Sequence, residues 1–87
     1  MNIKYHQRYA KHYTKRIKPY PQLVKKLQQR VILFFENSQY PLLKDHQLTG
    51  DKKEYRSFSV TGDIRVIYKK DGDDVLFYDV GSHNQVY

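Results

Sequence analysis

The chain has 87 residues, a formal net charge of +7 and no cysteine. This length predicts one domain over residues 1–87 with a modest core, and the absence of cysteine excludes disulfides and thiolate metal sites. Lys and Arg outnumber Asp and Glu by 16 to 9, which favours a polyanionic partner such as nucleic acid or an acidic protein segment, although many small proteins are basic without one.

The first segment of the chain predicts a short strand and a helix. Alternation over residues 2–5 is typical of a strand, whereas three apolar positions over residues 7–17 recur every four residues and predict a helix: Tyr9, Tyr13 and Ile17. This segment lacks the apolar centre of a signal peptide, and no apolar run in the chain approaches the roughly 20 residues that span a bilayer. We therefore expect a soluble cytoplasmic protein that does not bind membranes.

A proline-rich break separates this helix from a second one. Pro19 lacks an amide proton and restricts the residue before it, while Pro21 suits the first turn of the next helix. The second helix is expected over residues 21–37, with an apolar stripe of Leu23, Leu27, Val31, Phe34 and Phe35. The two helices predict an antiparallel helical hairpin.

The second half of the chain predicts a β-meander. Residues 42–54 have the composition of a loop, and period-two patterns follow over residues 55–60, 64–70 and 75–80, separated by Gly-Asp turns. The helices are the only available cover for the apolar face of this sheet. The predicted fold class is therefore α+β, a small antiparallel sheet with a helical hairpin on one face.

Polar side chains that share one face of the meander suggest a site. Alternation places Asp63 and Arg65 on the side away from the helices, together with Ser59 of the preceding strand. His46 lies in the loop that enters the first strand, and His83 follows the last. Both histidines are thus expected near the end of the sheet where Asp63 lies.

Two histidines beside a phosphate suggest acid–base cleavage of RNA. A neutral imidazole accepts the proton of a 2′-hydroxyl, and a protonated one donates to the departing 5′-oxygen. Arg65 is the candidate for stabilising charge on the phosphate, and the reaction needs no metal or cofactor. The spacing alone leaves surface or capping histidines as the default. A metal site of His46, Asp63 and His83 is chemically possible, but a basic face opposes a cation.

Several separated motifs resemble one family. They are KDHQLTG at residues 44–50, Tyr-Arg at 55–56, Asp63, Ile-Tyr at 67–68 and GSH at 81–83 with Tyr four residues later. These resemble the YafQ-like branch of the RelE/ParE toxin superfamily. The resemblance implies a RelE-like fold and a type II toxin that enters the ribosomal 30S A site and cuts mRNA without a metal. It also implies a cognate antitoxin, with DNA contacted only indirectly through the antitoxin complex.

The resemblance assigns roles to individual residues. The family's acid–base groups correspond to His46, Asp63 and His83, and its terminal aromatic, which packs on an mRNA base, corresponds to Tyr87. Two positions depart from the pattern. Ser59 stands where the family usually has histidine, and Asp79 where it usually has arginine. We predict that Arg65 substitutes for the lost cation, although an Arg65–Asp79 ion pair across the hairpin is an equal alternative.

Each of the other charged candidates has two possible roles. Arg56 binds a backbone phosphate or pairs with Asp63. Three loop lysines contact RNA backbone or are simply solvated: Lys44, Lys52 and Lys53. His6 and His12 are expected at the surface. The rival functions are a ParE-like inhibitor of a topoisomerase, and a module that binds nucleic acid or a protein partner without catalysis.

Overall fold

The structure, a computed structural model, describes residues 2–87. These residues include three α-helices and five strands. The strands are β1 (Ile3–Tyr5), β2 (His46–Gln47), β3 (Arg56–Ser59), β4 (Ile64–Asp71) and β5 (Asp74–Ser82). The helices are α1 (Gln7–Arg16), α2 (Pro21–Glu36) and α3 (His83–Val86). The fold class is α+β, as the sequence predicted.

One sheet contains all five strands, in the order β1-β5-β4-β3-β2. The expected meander of β3, β4 and β5 is antiparallel, and β2 extends it by pairing His46 with Ser57. The sheet is mixed rather than wholly antiparallel, because β1 runs parallel to β5 with Ile3 opposite Val75. The strand β2 lies inside the segment expected to be loop; two polar residues are too short a run to show alternation.

The main core lies between the sheet and the first two helices. Phe34 of α2 stacks on Phe58 of β3 with ring centroids 4.9 Å apart, and its edge contacts Tyr68 of β4 at the same distance. Tyr9 and Ile17 close the core from the side of the first helix. The predicted apolar stripes are confirmed except at their margin, since Phe35 is exposed on the outside of α2. No helix within residues 2–87 is long and apolar enough to span a membrane.

The opposite face of the sheet, expected to be bare, is partly covered. The short helix α3 folds back over it, and Val86 packs with Ile67 and Leu48 in a second, smaller apolar cluster. Ser82 caps this helix through a reciprocal hydrogen-bond box with Gln85. This Ser-x-x-Gln spacing is a helix-start signal that was visible in the sequence and was missed. The helix begins at His83, one of the predicted site residues.

Candidate functional site

A cleft of about 460 Å³ lies on the face of the sheet that carries α3. It is lined by residues from β2, the loop that follows β2, and α3: His46, Gln47, Leu48, Thr49, Lys52, His83 and Tyr87. Pairing of β2 with β3 brings His46 onto this face, and the folding back of α3 brings His83 to the same cleft. The two histidines that the sequence singled out therefore line one cavity.

Hydrogen bonding fixes the state of the His46 ring. Its Nδ1 lies 2.9 Å from the carbonyl oxygen of Lys44, so Nδ1 carries the proton and donates it to that oxygen. In the neutral ring, Nε2 is then free to accept a proton. Lys44 itself has a left-handed backbone, with φ of 50°, which turns its carbonyl toward the ring. This arrangement suits a general base.

His83 is held in position by contacts of both its backbone and its ring. The amide of His83 donates to the carbonyl oxygen of Asp63 at 3.1 Å, with a longer contact of 3.4 Å to the Asp63 carboxylate. The His83 ring meets Tyr87 edge to face, with centroids 4.5 Å apart. Asp63 thus lies beside the start of α3 and contacts His83 through the main chain, outside the lining of the cleft.

Tyr87 is tied down. Its hydroxyl donates a hydrogen bond to the Oγ of Ser57 at 2.5 Å, and Lys52 Nζ donates to the carbonyl of the preceding Val86 at 3.1 Å. The ring is about two-fifths exposed, so part of its surface remains open to a ligand. These contacts hold Tyr87 in one position at the end of α3.

Arg65 and Ser59 occupy the next row of the same face. The register places Ser59 opposite Arg65, and Arg65 opposite Gly81, one step of about 7 Å along the strands from the row of His46 and Ser57. The Arg65 guanidinium donates to the Oγ of Ser59. Among residues 2–87, no carboxylate lies within ion-pair distance of Arg65. Its charge is therefore available to the cleft side of the sheet.

Asp79 is bound by α1, and the alternative of an Arg65–Asp79 ion pair is wrong. The Asp79 carboxylate is 2 % exposed and accepts hydrogen bonds from Arg8 Nε at 3.2 Å and His12 Nδ1 at 2.6 Å, with Arg16 at 3.6 Å. A bulge in β5 leaves one residue between the partners of Ile67 and Tyr68 and turns Asp79 toward the helix. His12 is accordingly a partly buried partner of Asp79, contrary to the expectation of a surface group.

Arg8 keeps its positive charge within this cluster. The hydrogen bond to Asp79 raises the pKa of Arg8, against the opposing effect of burial. The remaining histidine, His6, is an exposed cap of α1, whose Nδ1 accepts from the amide of Arg8 at 3.0 Å. The position where the family usually has an arginine is thus filled by a carboxylate that several cations hold in place.

Arg56 lies on the helix side of the sheet and pairs with Asp45, not with Asp63. Its Nε and one terminal nitrogen both lie 2.7 Å from the same Asp45 oxygen, and Tyr68 donates to the other oxygen. Burial opposes the charged guanidinium, but the hydrogen bonds with Asp45 and Tyr68 outweigh it and raise the pKa of Arg56. This contact anchors the segment that carries His46. No sequence pattern predicted this ion pair, because Asp45 precedes a strand of only two residues.

The lysines divide between the cleft and its rim. Lys52 lines the cleft, while exposed Lys44 precedes β2 and exposed Lys53 follows it. Among residues 2–87, no group of three or more His, Asp or Glu side chains is arranged to hold a metal ion. An apolar groove of about 750 Å³ between α1 and α2 is larger than the cleft, but tyrosines are its only titratable lining residues.

A family model described as a bacterial toxin of type II toxin–antitoxin systems, YafQ, matches residues 1–87. The chain belongs to the YafQ family of toxins. A crystal structure of YafQ from E. coli strain BL21(DE3) superposes with a TM-score of 0.83 at 25 % identity, covering 98 % of this chain and 96 % of that one. The toxin is thus of the type II class that the resemblance implied.

Two further structures have the same fold as this YafQ-family toxin. The E. coli DinJ-YafQ complex matches with a TM-score of 0.80 at 26 % identity, covering 98 % of this chain and 96 % of that chain. A YoeB/ParE toxin from Agrobacterium tumefaciens has a TM-score of 0.79 at 19 % identity, covering 95 % and 99 %, and shows the fold alone. A search of curated protein sequences gave no match.

Proposed function

We propose that this YafQ-family toxin is an endoribonuclease that cuts mRNA on the ribosome, and that the cleft around His46 and His83 is its active site. The observation that carries the proposal is that both imidazoles line one cavity on a strongly basic protein. Family membership supports it, because mRNA interferase activity is typical of YafQ toxins. A toxin with this target works in the cytoplasm.

In the proposed reaction, His46 is the base and His83 the acid. Nε2 of His46 takes the proton of a ribose 2′-hydroxyl, and the 2′-oxygen then attacks the adjacent phosphorus. The bond to the 5′-oxygen breaks as His83 gives that oxygen a proton, leaving a 2′,3′-cyclic phosphate. The hydrogen bond from His46 to Lys44 supports this order, because it leaves Nε2 as the proton acceptor. No metal or cofactor takes part.

The surrounding side chains stabilise charge and hold the substrate. Arg65 donates to the pentacovalent phosphate, where negative charge builds, and Ser59 orients its guanidinium. Asp63 positions His83 through the main-chain hydrogen bond. Tyr87 packs on a base of the codon. The lysines at 44, 52 and 53 contact RNA backbone.

The proposed partners are the ribosomal A site and a cognate antitoxin. The E. coli relative has been crystallised as a complex with DinJ, and a chain of charge +7 suits an acidic antitoxin segment. The toxin contacts DNA only indirectly, through the antitoxin complex.

Primer extension on transcripts from cells expressing the toxin tests the proposal. Wild-type toxin is expected to produce discrete cuts within codons, and His83→Ala is expected to abolish both the cuts and growth arrest while its melting temperature is unchanged. His6→Asn is the matched control, because it removes an imidazole outside the cleft and keeps a good helix cap. Uncut transcripts with DNA damage would instead identify a topoisomerase inhibitor, and full toxicity of His83→Ala would defeat the assignment of the site.

A further inference from the structure

A strongly basic pocket, separate from the cleft, lies where the end of α1 meets the junction between β5 and α3. It has a volume of about 560 Å³ and is lined by Lys11, His12, Lys15, Arg16, Tyr20, Leu23, Ile64, Ser82 and Gln85. No acidic side chain is among these residues. The four basic side chains of α1 thus face the neutral side chains of Ser82 and Gln85 on the opposite wall.

The charge of this pocket is only partly neutralised from below. Asp79 is the acidic group in contact with the cluster, and its charge is shared among Arg8, His12 and Arg16. Within residues 2–87, Lys11 and Lys15 make no ion pair. Cations in a last turn also favour a helix carboxyl end, but that effect does not extend to Lys11, which lies a turn earlier.

Two of the basic side chains are held in fixed positions. Arg16 donates to the carbonyl oxygen of Val80 at 3.0 Å and crosses directly over Gly81, where an added Cβ would lie 2.7 Å from the guanidinium. The His12 ring is oriented by the bond of its Nδ1 to Asp79, which leaves Nε2 as the nitrogen available to a ligand. A pocket with fixed donors binds an anion without first ordering them.

The pocket lies next to the proposed active site. Ser82 forms part of its wall and is followed directly by His83, which lines the cleft. We propose that this pocket binds a backbone phosphate of RNA next to the nucleotides held in the cleft, as a second anchoring point. This inference rests on the proposed function for its choice of ligand. The RNA is either the mRNA itself or ribosomal RNA, which present the same phosphodiester group.

The test uses the two unpaired lysines, whose removal leaves the Asp79 cluster intact. The variant Lys11→Gln/Lys15→Gln is compared with Lys25→Gln/Lys70→Gln, which removes the same charge from exposed positions outside the pocket. The probes are a single-stranded 2′-O-methyl oligonucleotide, which the toxin cannot cut, and purified ribosomes. Losing one phosphate contact to a single strand is expected to lower the slope of log affinity against log salt by about 0.7.

The outcomes separate the sources of the phosphate. Weaker binding and a smaller salt slope with the oligonucleotide indicate mRNA, and a loss seen only with ribosomes indicates ribosomal RNA; either supports the pocket. Unchanged binding to both probes, or an equal loss in the control pair, overturns it, as does a loss of antitoxin affinity alone. Because binding is measured without cleavage, failure of the wild-type toxin to cut mRNA would refute the proposed function and leave this readout interpretable.

Discussion

The hydroxyl of Tyr87 lies 2.5 Å from the Oγ of Ser57, and this bond holds the end of α3 over the middle of the sheet. The same ring stands 4.5 Å from His83, so one hydrogen bond positions both the aromatic surface and the imidazole beside it. Ser57 is fully buried and pairs with His46 across β2 and β3. Tyr87 and Ser57 therefore connect the two histidines of the cleft.

Two substitutions separate the roles of Tyr87. Tyr87→Phe keeps the ring and loses the hydrogen bond, so the free energy of unfolding is expected to fall by about 1 kcal/mol with cleavage largely retained. Tyr87→Ala also removes the stacking surface, which is expected to weaken RNA binding by about tenfold to a hundredfold. Binding of a 2′-O-methyl oligonucleotide and urea unfolding of both variants measure this. Equal RNA affinity in Phe and Ala variants would show that the ring does not touch RNA.

Arg65 is expected to act on the reaction rate. Arg65→Gln removes the donor that we propose stabilises the phosphate, and a loss of about a hundredfold to a thousandfold in cleavage rate is expected by analogy with other charge-stabilising donors. Arg65→Lys keeps the positive charge without the planar guanidinium, and its cleavage rate is expected to lie between those of the wild type and Arg65→Gln. Single-turnover cleavage on programmed ribosomes is the measurement. Ser59→Ala, which frees the guanidinium, serves as the milder comparison, and wild-type rates in Arg65→Gln would rule out this role.

Asp79 is expected to be required for stability. Asp79→Asn leaves Arg8 and Arg16 without their buried counter-charge. Because these arginines are themselves partly exposed, losing the charged hydrogen bonds is expected to cost about 1.5–3 kcal/mol of unfolding free energy. Urea unfolding measures the change, with Asp73→Asn in the exposed β4–β5 turn as the control. Asp79→Arg, which introduces the family's usual residue, adds repulsion and is expected to be worse. A loss in Asp79→Asn no larger than in the control contradicts the structural role.

Alkaline pH is expected to destabilise the protein through buried tyrosine hydroxyls. Burial, together with the hydrogen bond to Asp45, raises the pKa of Tyr68 well above its ordinary 10.0, and burial likewise raises that of Tyr9. A raised folded-state pKa means that the stabilisation is complete below 10.0 and is lost as pH rises toward the folded value, because the unfolded chain gives up the proton first. Tyr68→Phe is expected to be less stable at neutral pH and to lose less stability above 10.0. Urea unfolding of the wild type and of Tyr68→Phe, from neutral pH to above 10.0, measures how the stability of each depends on pH. Parallel curves of stability against pH would exclude Tyr68 as the cause.

The helices and the meander were predictable because each carries a strong local signal. Phe34 and Leu27 follow a helical period, and Phe58 and Val66 alternate in strands, so local pattern and burial agree. The order of the strands predicted that His46 and His83 lie near the same end of the sheet, and both line one cleft. The sequence did not predict the partner of Asp79, because a one-residue bulge decides the direction of that side chain and leaves no local signal.

The parallel pairing of β1 with β5 has a consequence for synthesis. Ile3 finds its partner Val75 only after nearly the whole chain has been made, and α1 packs mainly on that same late strand. A nascent chain halted before β5 therefore has an unsupported amino-terminal segment and lacks His83 as well. The ribosome that makes this toxin is consequently not exposed to a folded toxin until translation has passed the residues that complete it.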